Sequence, residues 1–296
     1  MLIRAGYEIT FECAAPTPMI LMLSVRPERF PDLLSSQSPR TWPNTPLREY
    51  RDAFGNVCHR LTAPAGRITL AADFSISDSG LPDEAAPRAP QHPVDELPNE
   101  TLVYLLGSLY CETETLRDMA WAEFGQTPTG WARVQAIVDY VHEYLSFSYA
   151  AARSTRTAFE AHQERMGVCR DFAHLAITLC RCMNIPARYC TGYLGDIGVP
   201  PNPAPMDFSA WLEVFLGGRW RTFDARHNQP RVGRICMARG RDATDAAITT
   251  AFGRADLVAF KVITEEAPLA VVGSEARPDG SGDRYAPPQQ PELRQA

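Results

Sequence analysis

Short apolar segments of strand length recur through the first 76 residues of the chain. YEITFEC alternates apolar and polar residues at its start, MILMLSV is a short apolar run, and RITLAADFSI has the length of a strand. Proline, asparagine and glycine residues lie between these segments, which is typical of turns. We predict that residues 1–76 form a small β-sandwich.

Two later stretches have no usable period. Residues 77–100 are rich in proline and acidic residues, which predicts a connector between two domains. Residues 266–296 are rich in proline, glycine and charge, and we expect a disordered tail there. The second domain would then span residues 101–262.

Beyond the connector, apolar residues recur at intervals of three and four, which predicts amphipathic helices. The pattern covers LVYLLGSLYCETETLRDMAWAEFG and then GWARVQAIVDYVHEYLSF. A third helix is predicted over residues 168–183, where apolar side chains cover most of the circumference. A helix of that kind lies at the centre of a domain. Pro186 ends it, because proline cannot continue a helix.

A β-hairpin is predicted in FSAWLEVFLGGRWRTFD, where two glycines separate two strand-like segments. If the turn holds only these glycines, Leu216 faces Arg219 across the hairpin. Counting outward from that pair makes Ser209 and Asp224 diagonal neighbours on one face. The preceding segment, ARYCTGYLG, is predicted to be another strand.

Composition excludes several classes of protein. The chain has 296 residues with 45% hydrophobic and 22% charged residues, which suits a folded protein of two domains. The net charge of -6 comes without a cluster of Lys and Arg among aromatics, so we expect no nucleic-acid partner. The amino terminus lacks the pattern of a signal peptide and no apolar run is long enough to span a bilayer, so we expect a cytoplasmic protein with no membrane partner.

The eight cysteines are spread along the chain, which favours reduced thiols over a disulfide framework. Cys180 and Cys182 are followed by no His or Cys at zinc-finger spacing, and no clustered carboxylate loop suggests calcium. We therefore expect neither a metal nor a cofactor.

Cys169 is different, because it lies two residues after a glycine at the start of the predicted central helix. The unpaired N–H groups and the positive end of a helix stabilise a thiolate and can also bind an oxyanion. Against this, cysteine is among the most buried residue types, and a lone cysteine in an apolar helix usually only packs.

Two longer segments resemble the transglutaminase-like superfamily. They are TAFEAHQERMGVCRDFAHLAITLCRCMNIPARYCTGYLG and FSAWLEVFLGGRWRTFDARHN, and the resemblance extends from Thr157 to Asn228. It implies an α+β fold with a papain-like transglutaminase core, in which helices pack on an antiparallel sheet. Residues 1–76 resemble the β-rich domain that often precedes this core in bacterial members.

The resemblance also implies a catalytic triad of Cys, His and Asp for proteolysis, amide hydrolysis or acyl transfer. It assigns Cys169 as nucleophile and Asp224 as the orienting carboxylate. The family's histidine position holds Ser209, in Ser-Ala-Trp instead of His-Ala-Trp. A serine hydroxyl is a poor substitute, because a thiol needs a base to release its proton and an acid to protonate the leaving amine.

Three hypotheses address this substitution. In the first, His227 supplies the base, which requires the chain to turn after Arg226; His174 is a weaker alternative, because five residues along a helix it points away from Cys169. In the second, Cys169 works without a histidine, aided by the helix terminus and by Arg170 or Arg226. In the third, activity is lost and the cleft serves as a peptide-binding or scaffolding module.

The first hypothesis is the one that we adopt. It predicts a thiol-dependent amidase, peptidase or acyltransferase that acts on a peptide or protein substrate, with Cys169, Asp224 and His227 as its catalytic residues. The substrate, the acyl acceptor and the oligomeric state are left open by the sequence.

Overall fold

The computed structural model describes residues 1–268, and it begins with a two-layer β-sandwich. The strands of this sandwich are β1 (Leu2–Cys13), β2 (Thr17–Leu21), β3 (Arg40–Trp42), β4 (Arg48–Arg51), β5 (Val57–Ala63), β6 (Gly66–Ser77), β13 (Thr249–Ala251) and β14 (Ala255–Ala267). One sheet has the order β14-β1-β6-β3 and the other the order β13-β2-β5-β4. Apolar side chains of both sheets, including Ile3, Leu21 and Leu70, are fully buried in one shared core. The predicted sandwich is therefore present.

Two strands of this sandwich come from the other end of the chain. β14 pairs antiparallel with β1 along its whole length, from Leu2 opposite Ala267 to Cys13 opposite Ala255, and β13 pairs with β2. Residue 262, the predicted end of the second domain, lies inside β14, so the predicted boundary divides a single strand. Of the predicted tail, residues 266 and 267 lie in this strand, and residues 269–296 are outside the described residues.

The second part of the protein packs four helices on a sheet. The helices are α1 (Thr113–Phe124), α2 (Trp131–Tyr144), α3 (Ala158–Glu164) and α4 (Cys169–Cys182), and a short parallel pair joins β7 (Ser146–Phe147) to β8 (Met166–Gly167). The first predicted helix begins later than its apolar pattern suggests. Residues 99–105 form a 3-10 helix, and the backbone groups of Ser108 and Cys111 then bond to each other around a tight turn.

The sheet consists of β9 (Ala187–Tyr193), β10 (Ser209–Leu216), β11 (Arg219–Phe223) and β12 (Ile235–Gly240), in the order β11-β10-β9-β12. The hairpin register places Leu216 opposite Arg219, as predicted. Helix α4 is buried along nearly its whole length between this sheet and the other helices. The α+β architecture predicted from the sequence is confirmed. Among residues 1–268, no helix is both long and apolar enough to cross a membrane.

Candidate active site

The start of helix α4 is held by a buried carboxylate. Asp171, which is fully buried, accepts a hydrogen bond from the Val168 amide at 2.9 Å and forms an ion pair with Arg156 at 3.1 Å. Its negative charge also interacts favourably with the positive end of the helix dipole. Gly167 fits tightly beside it, since a Cβ there would lie 2.6 Å from Asp171 Oδ2. These contacts fix Cys169, the first residue of the helix.

Cys169 opens onto a cleft of about 540 Å³. All eight cysteines lie in residues 1–268, and Cys169 is the one residue among them that is not fully buried. The same cleft is lined by Ser209, Arg226 and His227, so three other residues identified in the sequence share a cleft with the candidate nucleophile. Much of the remaining lining comes from the segment that connects β9 to β10.

Asp224 and His227 form a hydrogen-bonded pair at the end of β11. Asp224 Oδ1 accepts the backbone N–H groups of Arg226 at 3.1 Å and His227 at 3.0 Å, while the Asn228 N–H bonds to the Asp224 carbonyl at 2.7 Å. The chain therefore turns immediately after Asp224, two residues earlier than the predicted turn. This turn brings His227 Nδ1 to 2.9 Å from Asp224 Oδ2.

The Asp224 carboxylate is ionised. Burial alone would raise its pKa, but Arg234, whose Nη2 lies 2.8 Å from Oδ2, together with His227 holds the pKa of Asp224 well below its usual range. An ionised carboxylate can only accept a hydrogen bond, so His227 Nδ1 must be the donor. Nε2 is then the nitrogen of His227 that is available to take a proton.

The surroundings of Cys169 disfavour its thiolate form. Burial, reinforced by the nearby Asp207 carboxylate, raises the pKa of the Cys169 thiol to about 11. Arg226 and a hydrogen bond from the Ala210 amide act in the opposite direction. The thiol is accordingly protonated at neutral pH in the resting protein, and its reaction requires removal of that proton.

The other candidate residues have different surroundings. His174 is fully buried and stacks on Tyr110 with ring centroids 5.2 Å apart, while its Nε2 accepts the Ala243 N–H at 3.1 Å. Burial and the nearby Arg170 lower the pKa of His174 to about 3, so it is neutral and already engaged. Arg170 donates to the Ser154 carbonyl at 2.9 Å and does not line the cleft, whereas Arg226 does.

Several cleft residues were missed from the sequence. Asp207 and Tyr149 line the cleft, and Arg234 supports Asp224 from the loop before β12. Burial of its carboxyl raises the pKa of Asp207 to about 6, although the residue as a whole is exposed. No motif marks these positions. Their proximity to Asp224 or Cys169 arises from the tertiary fold.

Metal binding has no evident set of ligands here. Within residues 1–268, no three His, Cys, Asp or Glu side chains converge as a metal ion would require. The chemistry that this arrangement can support is that of a thiol, an imidazole and a carboxylate.

Comparison with known proteins identifies the family to which the chain is similar. A family model described as the transglutaminase-like superfamily matches residues 119–225. An uncharacterized protein of Mycobacterium leprae (strain TN) is 38% identical over 88 residues, a match that spans 29% of this chain and 31% of that relative. An uncharacterized protein of Mycobacterium tuberculosis (strain ATCC 25618 / H37Rv) is 28% identical over 220 residues, 66% of this chain and 68% of the relative.

The likeness to one solved structure covers both parts of the molecule. The crystal structure of a candidate cysteine protease from Cytophaga hutchinsonii is 30% identical and superposes with a TM-score of 0.77, and the match covers 94% of this chain and 93% of that chain. The similarity therefore includes the β-sandwich as well as the thiol domain. On this evidence the chain belongs to the transglutaminase-like superfamily.

Proposed function

We propose that this protein is a thiol-dependent amidase, peptidase or acyltransferase in which Cys169 is the nucleophile, His227 the base and Asp224 the orienting carboxylate. The observation that carries the proposal is the 2.9 Å hydrogen bond between His227 Nδ1 and Asp224 Oδ2, made by a histidine that lines the same cleft as Cys169. It supplies the carboxylate-oriented imidazole that Ser209 cannot provide.

In the proposed reaction, His227 Nε2 takes the thiol proton as Cys169 Sγ attacks an amide carbonyl. The resulting oxyanion is stabilised by N–H groups at the start of α4, which have no partner within the helix. The imidazolium, held by Asp224, then gives its proton to the leaving amine, and a thioester to Cys169 remains. Water would complete hydrolysis, whereas an amine would complete acyl transfer.

The high pKa of Cys169 makes this base necessary. A thiol with a pKa of about 11 holds a negligible thiolate fraction at pH 7, so reaction through a preformed thiolate is unfavourable. Coupled proton transfer to His227 removes that requirement, because the proton leaves as the carbon–sulfur bond forms. The same pKa favours the second candidate function, a peptide-binding or scaffolding module in which Cys169 is inert.

The test is the rate of Cys169 alkylation by iodoacetamide between pH 5 and 10, with the adduct located by mass spectrometry. We expect measurable alkylation already at pH 7, and a loss of about tenfold or more at pH 7 in His227→Ala. His92→Ala is the matched control, because His92 bonds to the Gly218 amide at 2.9 Å and does not line the cleft. Indistinguishable profiles for native protein and His227→Ala, with reaction only above about pH 9, would favour the binding module.

A peptide or protein substrate and a cytoplasmic location are part of the same proposal. A panel of blocked peptides incubated with native protein and with Cys169→Ala, followed by mass spectrometry, would distinguish hydrolysis from transfer to an added amine.

A further inference from the structure

Arg231 lies in the cleft beside the candidate catalytic residues, although no sequence motif pointed to it. Its side chain is only 3% exposed and still lines the cavity that contains Cys169 and His227. The residue is fixed at its backbone, since its N–H donates to Asp83 Oδ2 at 2.9 Å. A buried arginine at this place forms part of the cleft wall and cannot move freely in solvent.

The guanidinium of Arg231 has few acceptors for its charge. Its Nη2 donates to the Gly195 carbonyl at 2.8 Å and forms an ion pair with Asp196 at 3.6 Å, a distance longer than a hydrogen bond. Its Nε is buried without a hydrogen-bond partner in the part of the chain that the structure describes. A buried cation with so few acceptors is costly, because burial removes the water that would otherwise solvate it.

Neighbouring cations add to the cost of burying the Arg231 charge. Burial lowers the pKa of Arg231, and repulsion from Arg234 and Arg226 lowers it further, against the attraction of Asp224 and Asp196. Asp224 attracts Arg231, but its Oδ2 already accepts hydrogen bonds from Arg234 and His227. Asp207 also lines the cleft, but its carboxylate interacts with Arg226 rather than with Arg231.

Resting on the proposed function, we infer that Arg231 is a specificity residue that binds a free carboxylate of the substrate beside the bond that Cys169 attacks. The carboxylate would supply the acceptor that the guanidinium lacks, with Arg226 adding positive charge on the same wall. Arginine suits this role, because its planar fork matches a carboxylate and remains charged when buried. The carboxylate can come from a peptide carboxyl terminus or from an Asp or Glu side chain.

The first test compares two alkylating reagents that differ only in this group. Iodoacetate carries a carboxylate and iodoacetamide an amide, so the ratio of their rates at Cys169 reports carboxylate binding and cancels changes in thiol reactivity. Free cysteine gives the reference ratio. We expect the native ratio to exceed the reference by about tenfold, a size typical of hydrogen bonds to charged groups. Arg231→Gln should return it to the reference, and Arg231→Lys should retain part of the preference.

The second test needs no variant and stays decisive if Arg231→Gln does not fold. Acetyl-alanyl-alanine, acetyl-glutamyl-alaninamide and acetyl-glutaminyl-alaninamide are compared as protectors of native Cys169 against iodoacetamide. Protection by the first peptide assigns the site to an α-carboxylate, and protection by the second to a side-chain carboxylate. A native reagent ratio at or below that of free cysteine, with equal protection by all three peptides, would overturn the inference.

The two proposals fail in different ways. If His227→Ala retains both the native alkylation profile and the native reagent ratio, the catalytic role of His227 is wrong but the carboxylate site remains. If His227→Ala slows alkylation, the native reagent ratio equals that of free cysteine and the three peptides protect equally, the catalytic role of His227 holds and the role of Arg231 is wrong.

Discussion

Replacing Asp224 by asparagine is expected to destabilise the protein and to impair the orientation of His227. Asp224 is 5% exposed, and its two oxygens accept hydrogen bonds from two backbone amides, His227 Nδ1 and Arg234 Nη2. Asparagine keeps the acceptor for the backbone amides. It places an NH₂ group opposite two donors, however, so Arg234 loses a partner and His227 can no longer donate through Nδ1.

The size of the effect follows from the ion pair. Removal of one partner of a buried pair costs about 3–5 kcal/mol in the free energy of unfolding. Arg234 keeps a second carboxylate, because its Nε lies 2.8 Å from Asp83 Oδ2. We therefore expect the lower end of that range, about 3 kcal/mol at pH 7.

The loss should depend on pH in a definite direction. The pKa of Asp224 is depressed in the folded protein, so its contribution is complete above the unfolded pKa of about 4 and declines as the pH falls toward the folded value. Below about pH 4 the difference between native protein and Asp224→Asn should shrink by about 1.4 kcal/mol per pH unit.

Urea denaturation followed by tryptophan fluorescence at pH 7, 4 and 3 measures both effects. Asp139→Asn is the matched control, because Asp139 lies nearby on α2 and, among residues 1–268, accepts hydrogen bonds only from the side-chain amides of Gln135 and Asn228. It should lose less than about 1 kcal/mol at pH 7. The reasoning is refuted if Asp224→Asn unfolds at the native urea concentration, or if its deficit is as large at pH 3 as at pH 7.

Two further predictions concern the start of α4 and the missing family histidine. Ser209→His should raise the alkylation rate of Cys169 at pH 7 by about tenfold or more relative to Ser209→Ala, because an imidazole would then line the cleft that contains the thiol, at the position where the family carries its base. Gly167→Ala should cost about 2 kcal/mol in the free energy of unfolding, because its Cβ would lie 2.6 Å from Asp171 Oδ2, and a urea midpoint equal to that of the native protein would contradict this packing argument.

Elements that depend on local sequence were predicted closely. Helix α4 spans Cys169–Cys182, one residue inside each end of the predicted range, since its apolar circumference and the following proline are local signals. The hairpin register was predicted for the same reason, because a two-glycine turn fixes which residues face each other. Before α1, the 3.6-residue apolar period predicted a helix that starts too early, because the tight turn between Ser108 and Cys111 interrupts the chain there.

Contacts between distant parts of the chain were not predictable in this way. The pairing of β14 with β1 joins residues more than two hundred positions apart, and neither strand's alternation identifies its partner. The cleft wall behaves similarly. Arg231 and Asp207 come from connecting segments without a periodic pattern, so their approach to Cys169 depends on how those segments fold back over the sheet.

In the proposed site, the Asp224–His227 pair forms within one short segment, whereas the position of Cys169 beside it depends on the tertiary fold. Asp224 and His227 are three residues apart, and the carboxylate that orients the ring also caps the turn that delivers it, so this pair can form from a short segment alone. A histidine at position 209 would instead depend on the hairpin to meet the same carboxylate. The position of Cys169 depends on the packing of α4 against the sheet. Changes that loosen this packing should therefore make the reactivity of the Cys169 thiol independent of His227 while leaving the Asp224–His227 hydrogen bond intact. Changes at Asp224 should disturb both the thiol reactivity and that hydrogen bond.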